Sequence, residues 1–128
     1  MGERRSKSWY EFEHGKTGVD KFNKGIHAIR ARALAKLIAA DKPQRIFEFA
    51  AGGSILALEV LKLLPFSKYW WTDFSTPAIV DAKIKLKDFP VFIDSKDIDE
   101  DYENTIWHAF DVILFAGAFT ILSLICSS

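Results

Sequence analysis

At 128 residues the chain has room for one domain with a core, and is short for a complete doubly wound α/β enzyme. Apolar residues make up 49% and charged residues 27%, with acids and bases equal at 17 each, so no global field favours nucleic acid or an anionic membrane. A single cysteine, Cys126, excludes an internal disulfide framework and a multi-cysteine metal site, and fits a reducing compartment such as the cytoplasm.

Residues 1–19 are polar with interspersed Trp9, Tyr10, Phe12 and His14, and read as an N-terminal arm or a short helix. Arg4-Arg5 is not followed by an apolar run, which argues against a secretory signal. Met1-Gly2-Glu3-Arg4-Arg5-Ser6 meets the bare myristoylation pattern, one short enough to arise often by chance. The domain itself is expected over 20–128. Phe22, Ile26, Ile29, Ala33 and Leu37 recur at spacings of three and four, with lysines and arginines between them, and predict a helix from Asp20 to Ala40. Pro43 opposes its continuation.

A first strand is predicted over 45–50. Ile46, Phe47 and Phe49 are too continuous for a half-exposed edge and suit a central parallel strand. The small residues Ala50-Ala51-Gly52-Gly53-Ser54 then make a turn. The helix from Ser54 to Leu64 is apolar nearly all round, which predicts burial on more than one side; Pro65 stops it. A second strand covers about 68–73 and ends in Asp73. Thr76-Pro77 opens a helix running to about Lys87, with Thr76 as N-cap. Val91-Phe92-Ile93 is a third strand. The acidic stretch 97–108 holds a weak helical pair, Tyr102 and Ile106, and the last clear strand is 110–115. From Val112 to Cys126 the chain is uncharged over 15 residues, short of the ~20 that span a bilayer. Gly117 breaks the run, which reads as a strand, a turn and the start of a helix, so no membrane partner is expected.

Strands separated by about 20 residues and alternating with helices predict an α/β fold with a parallel sheet and right-handed crossovers. The stretch from Arg45 to Ser75 carries the chemistry. A turn of small residues at a strand's C-terminal end lets a ligand approach the backbone. The following helix points its N–H groups and positive dipole end at that ligand. An acid some 20 residues on is placed to accept the hydroxyls of a ribose. The layout therefore predicts a nucleoside cofactor. A nicotinamide enzyme would want G-x-G-x-x-G at the turn; Ala50-Ala51-Gly52-Gly53-Ser54-Ile55 has only the middle of that spacing, and Glu48 stands where such enzymes have an apolar residue.

Glu48-x-Ala50-x-Gly52-x-Ser54 resembles the first motif, E/D-x-G-x-G-x-G, of the class I Rossmann-like S-adenosylmethionine-dependent methyltransferases, with alanine and serine at two of its three glycine positions. Asp73 matches the family's acid at the end of strand two, and Phe110-Asp111-Val112-Ile113-Leu114 resembles its fourth strand. The resemblance covers about 45–117. It implies a Rossmann-like three-layer sandwich with a mostly parallel sheet in the order 3-2-1-4. It also implies S-adenosyl-L-methionine as cofactor, with Glu48, Ala50, Gly52 and Ser54 at the cofactor turn. Asp73 would hold the ribose, Phe74 would flank the adenine, and Asp97 and Ile98 would meet its amino group and ring. Phe115, with Ala116 and Gly117, would lie near the methionine portion. The family's strands five to seven are missing, so the chain is expected to be a truncated product, to pair with a chain that completes the sheet, or to be a member that binds without catalysing.

Each residue has a plainer alternative. Glu48 could cap turn amides, and Asp73 could be a solvated loop acid. Asp97 sits among Asp94, Asp99, Glu100 and Asp101, which together could be an acidic face. Trp70 and Trp71 read as core. His14, His27 and His108 show no ligand spacing, so no metal is expected. No catalytic base can be named; Tyr10 and His14 are candidates for acceptor contacts, with surface packing the plainer role. The leading expectation is the cofactor-binding half of a methyltransferase. A non-catalytic binding or interaction module comes second and a nicotinamide-dependent oxidoreductase third.

Overall fold

The computed structural model of the chain describes residues 24–96 and 107–115. Along them run α1 (Ile26–Ala40), β1 (Arg45–Glu48), α2 (Ile55–Leu63), β2 (Lys68–Asp73), α3 (Thr76–Lys85), β3 (Val91–Ser95), a single 3₁₀ turn (Trp107–Ala109) and β4 (Val112–Leu114). The four strands form one sheet in the order β3-β2-β1-β4, and every pairing is parallel. This is the α/β, Rossmann-like arrangement and strand order expected from the sequence. The expected 1–19 arm, Asp97 and Ile98 lie outside the described residues, as does the chain beyond Phe115.

The two faces of the sheet separate by residue parity. Ile46, Tyr69, Trp71, Val112 and Leu114 face the helices. They share one core with Ala31, Ala35 and Ile38 of α1, Leu56, Ala57, Val60 and Leu61 of α2, and Ala78 and Ala82 of α3. Right-handed crossovers in one direction put α2 and α3 on the same face, which is why a single core serves all three helices. The opposite face carries Phe47, Phe49, Phe110 and Ile113, with Trp70 packed against them. Trp70 stacks on Phe92 at 4.9 Å and meets Phe110 edge-on at 5.0 Å.

Three differences from the sequence reading have physical causes. In α1 the residues at the predicted spacing are the exposed ones: Ile26, Ile29 and Leu37 are each more than 60% exposed. The buried face is Ala28, Ala31, Ala35 and Ile38, where small side chains let α1 lie close against α2. In α2 the buried residues are Leu56, Ala57, Val60 and Leu61, and Leu63 is half exposed; among the described residues α1 and β2 are the helix's main neighbours, so one face is covered. Finally, β1 ends at Glu48, not at residue 50. The Phe49 N–H still donates to Leu114 O at 2.9 Å, but Ala50 takes φ 51° and leaves the extended region.

At the other end of the strands Asp111 joins β1 to β4. Its Oδ2 accepts the N–H groups of Gln44 (2.9 Å) and Arg45 (3.0 Å), while its own N–H donates to Arg45 O at 2.8 Å. The β1–β4 pairing therefore starts in a defined register.

Candidate functional site

The candidate site lies at the C-terminal tips of β1 and β2, where an open parallel sheet accepts ligands. Because the β1–β2 register pairs Glu48 with Trp71, β2 runs two residues further than β1. Thr72 and Asp73 thus overhang the end of β1 and face the turn 49–54.

The turn is bent by two left-handed residues, Ala50 (φ 51°) and Gly52 (φ 67°). Glycine adopts that conformation freely, whereas an alanine there costs roughly 1–2 kcal/mol. Among the described residues, a Cβ built on Gly52 would meet nothing within 4 Å, which leaves that one backbone position approachable. Ser54 is buried at the N-cap of α2, whose first turn follows at Ile55.

Asp73 is brought onto this turn. Its Oδ2 accepts the Gly52 N–H at 2.7 Å, and its Oδ1 accepts the N–H groups of Phe74 (2.7 Å) and Ser75 (3.4 Å). Asp73 is only 3% exposed. A solvated loop acid is therefore ruled out. Phe74 is buried beside it.

Glu48 sits beneath the turn, 1% exposed, and its Oε1 accepts the Tyr69 hydroxyl at 2.6 Å. Burial pushes its carboxyl up to about 8; the Tyr69 hydrogen bond opposes this and the nearby Asp73 charge adds to it. Tyr69 is raised well above its ordinary range, by burial first and then by Glu48, so it stays a neutral donor. Near neutral pH Glu48 is mostly protonated.

Phe115 directly follows β4 and stacks on Phe49 at 5.7 Å, at the tip of β1. Of the residues expected at the cofactor, Glu48, Ala50, Gly52, Ser54, Asp73, Phe74 and Phe115 thus gather around the tips of β1, β2 and β4.

Three polar contacts escaped the sequence reading. The Trp71 indole Nε1 donates to Gly53 O at 3.2 Å, the Thr72 hydroxyl donates to Glu48 O at 2.6 Å, and Tyr69 is the partner of Glu48. The strand assignment hid them, because a Trp or Thr in an apolar strand reads as packing. Among the described residues no buried side-chain nitrogen or oxygen lacks a partner.

A depression of about 600 Å³ lies at the opposite end of the sheet, among Pro43, Arg45, Leu64, Phe66 and Lys68. It is formed by the N-terminal ends of β1 and β2, and among the described residues no acid lines it, so the strand tips remain the better candidate. Among the described residues no helix is long and apolar enough to cross a membrane, and no three His, Cys, Asp or Glu side chains are grouped to hold a metal.

No protein-family model matches the chain, and no curated protein matches it in sequence. Solved structures do match. A protein described as an O-methyltransferase from Klebsiella pneumoniae aligns over 90% of this chain and 54% of its own, with a TM-score of 0.64 and 16% identity. Another, described as a caffeoyl-CoA O-methyltransferase from Staphylococcus aureus, aligns over 84% of this chain and 58% of its own, with a TM-score of 0.57 and 14% identity. The chain thus spans little more than half the length of either. At these identities the likeness establishes the fold: a Rossmann-like α/β sheet of the kind found in structures described as O-methyltransferases.

Proposed function

We propose that this chain is the cofactor-binding portion of an S-adenosylmethionine-dependent methyltransferase. The observation that carries the reading is the meeting of Asp73 with the 49–54 turn, at 2.7 Å from the Gly52 N–H. An acid, an approachable backbone and a helix N-terminus converge at one end of the sheet, and among the described residues nothing lies within 4 Å of a Cβ built on Gly52. These groups fit an adenosine-bearing cofactor: a carboxylate to accept the ribose hydroxyls, apolar Phe74 for the adenine, and the turn for the remainder. The contact from Ser75 to Asp73, at 3.4 Å, is at the limit of a hydrogen bond and is the one a ribose hydroxyl would replace.

When bound, S-adenosylmethionine supplies a methyl group already activated on a sulfonium. The chain's own part is to hold that group in line with an acceptor and to exclude water, and orientation of this kind lowers a barrier by on the order of 7–11 kcal/mol. Asp73 anchors one end of the cofactor in this reading. Phe115, stacked on Phe49, forms an apolar wall on the β4 side. Glu48 contributes from below the turn, as a neutral acid bonded to Tyr69 near neutral pH.

Calorimetry with S-adenosylmethionine, S-adenosylhomocysteine and NAD tests the proposal. Micromolar binding of the first two, lost in Asp73→Asn, supports it. Binding of NAD alone replaces it with an oxidoreductase reading. A folded chain that binds none of them is an interaction module that kept the fold.

A further inference from the structure

The turn 49–54 lacks glycine at Ala50, where the backbone is left-handed, and yet it is bent. A strained residue persists only where its surroundings over-determine it. Those surroundings are the last three residues of β2. Trp71 reaches Gly53 O through its indole N–H at 3.2 Å. Thr72 holds Glu48 O through its hydroxyl at 2.6 Å, and its own carbonyl accepts the Ala51 N–H at 3.1 Å. Asp73 takes the Gly52 N–H at 2.7 Å. The end of β2 thus binds the chain between Glu48 and Gly53 at four backbone points, three of them through the buried side chains of Trp71 (0% exposed), Thr72 (1%) and Asp73 (3%).

We infer that Trp71 and Thr72 are positioning residues, whose buried side-chain donors hold the cofactor turn in its binding shape in place of the glycine missing at position 50. The consequence for ligand affinity rests on the function proposed above; the consequence for the turn does not. Each donor ties a carbonyl to β2, Glu48 O just before the turn or Gly53 O near its end, so removing it frees the segment between those points.

The test uses the full chain with Trp71→Phe, which keeps a ring but no N–H, and Thr72→Val, which keeps the shape but no hydroxyl. Amide exchange at Ala51 and Gly52 is expected to accelerate by about tenfold, the equivalent of one hydrogen bond, while amides in α1 and α3 keep their rates. The dissociation constant of S-adenosylhomocysteine should rise by a similar factor of about ten. Thr72→Ser, which restores a hydroxyl, should recover both. Adding Ala50→Gly to Thr72→Val should recover most of the affinity, because glycine keeps the bend unaided. Unchanged exchange at the turn would overturn the inference, and so would acceleration spread evenly over the whole chain. Local acceleration in a chain that never binds S-adenosylhomocysteine would uphold the role of Trp71 and Thr72 in shaping the turn and remove only the cofactor reading.

Discussion

Replacing Glu48 with Gln should stabilise the protein, by an amount that grows with pH. In the folded chain Glu48 keeps its proton until about pH 8, because burial penalises its charged form. In the unfolded chain the same group ionises at its ordinary value of 4.5. Between those values the folded state binds the additional proton, so its stability falls as pH rises. At about 1.4 kcal/mol per pH unit, the gap corresponds to a loss of about 5 kcal/mol, complete above pH 8, of which about 3 kcal/mol is already present at pH 7. Glutamine is near-isosteric, has no proton to lose, and keeps an oxygen to accept the Tyr69 hydroxyl, now 2.6 Å from Glu48. Urea denaturation of both proteins from pH 5 to pH 9 measures the effect. Their stability difference should be within about 1 kcal/mol at pH 5 and widen steadily towards pH 8. Comparing the two proteins cancels the other titrating groups. Parallel stability curves would refute the reasoning, since Glu48 would then ionise alike in both states.

Three further substitutions probe the frame of the site. Ala50→Gly relieves a left-handed alanine and should raise stability by about 0.5–1 kcal/mol net of glycine's greater unfolded-state freedom, read as a higher urea midpoint. Asp111→Ala removes the acceptor of two N–H groups at the start of β1 and should cost about 1–2 kcal/mol, measured by the same titration, without weakening any ligand at the far ends of the strands. On α1, Ala35→Leu overpacks the contact with α2 and should cost about 1–3 kcal/mol, while Leu37→Lys on the exposed face should stay within about 0.5 kcal/mol.

Much of this arrangement was legible in the sequence because it rests on local rules. The run Ile46, Phe47 and Phe49 marked a strand buried on both faces, and Pro65 and Pro77 marked the end of one helix and the start of another. The turn residues and Asp73 stood at a spacing that parallel pairing converts into contact. What stayed hidden depends on partners distant in sequence. The apolar period of α1 marks a helix but not which face is covered; Ala31 and Ala35 share the core with α2 because close approach rewards small side chains over large ones. Glu48 could have capped turn amides, and only the parity of β2 puts the Tyr69 hydroxyl beside it. Trp71 read as core and Thr72 drew no reading, because their polar atoms find Gly53 and Glu48 only once β2 lies beside β1.

The central claim is that a nucleoside cofactor lies over the tips of β1 and β2. It is tested most directly by titrating the ¹⁵N-labelled chain with S-adenosylhomocysteine and following its amide resonances. Saturable shifts concentrated at Gly52, Gly53, Asp73 and Phe74 are the predicted result. Shifts confined to Arg45, Phe66 and Lys68 at the opposite end of the sheet, or no shifts in a folded sample at millimolar ligand, would contradict it.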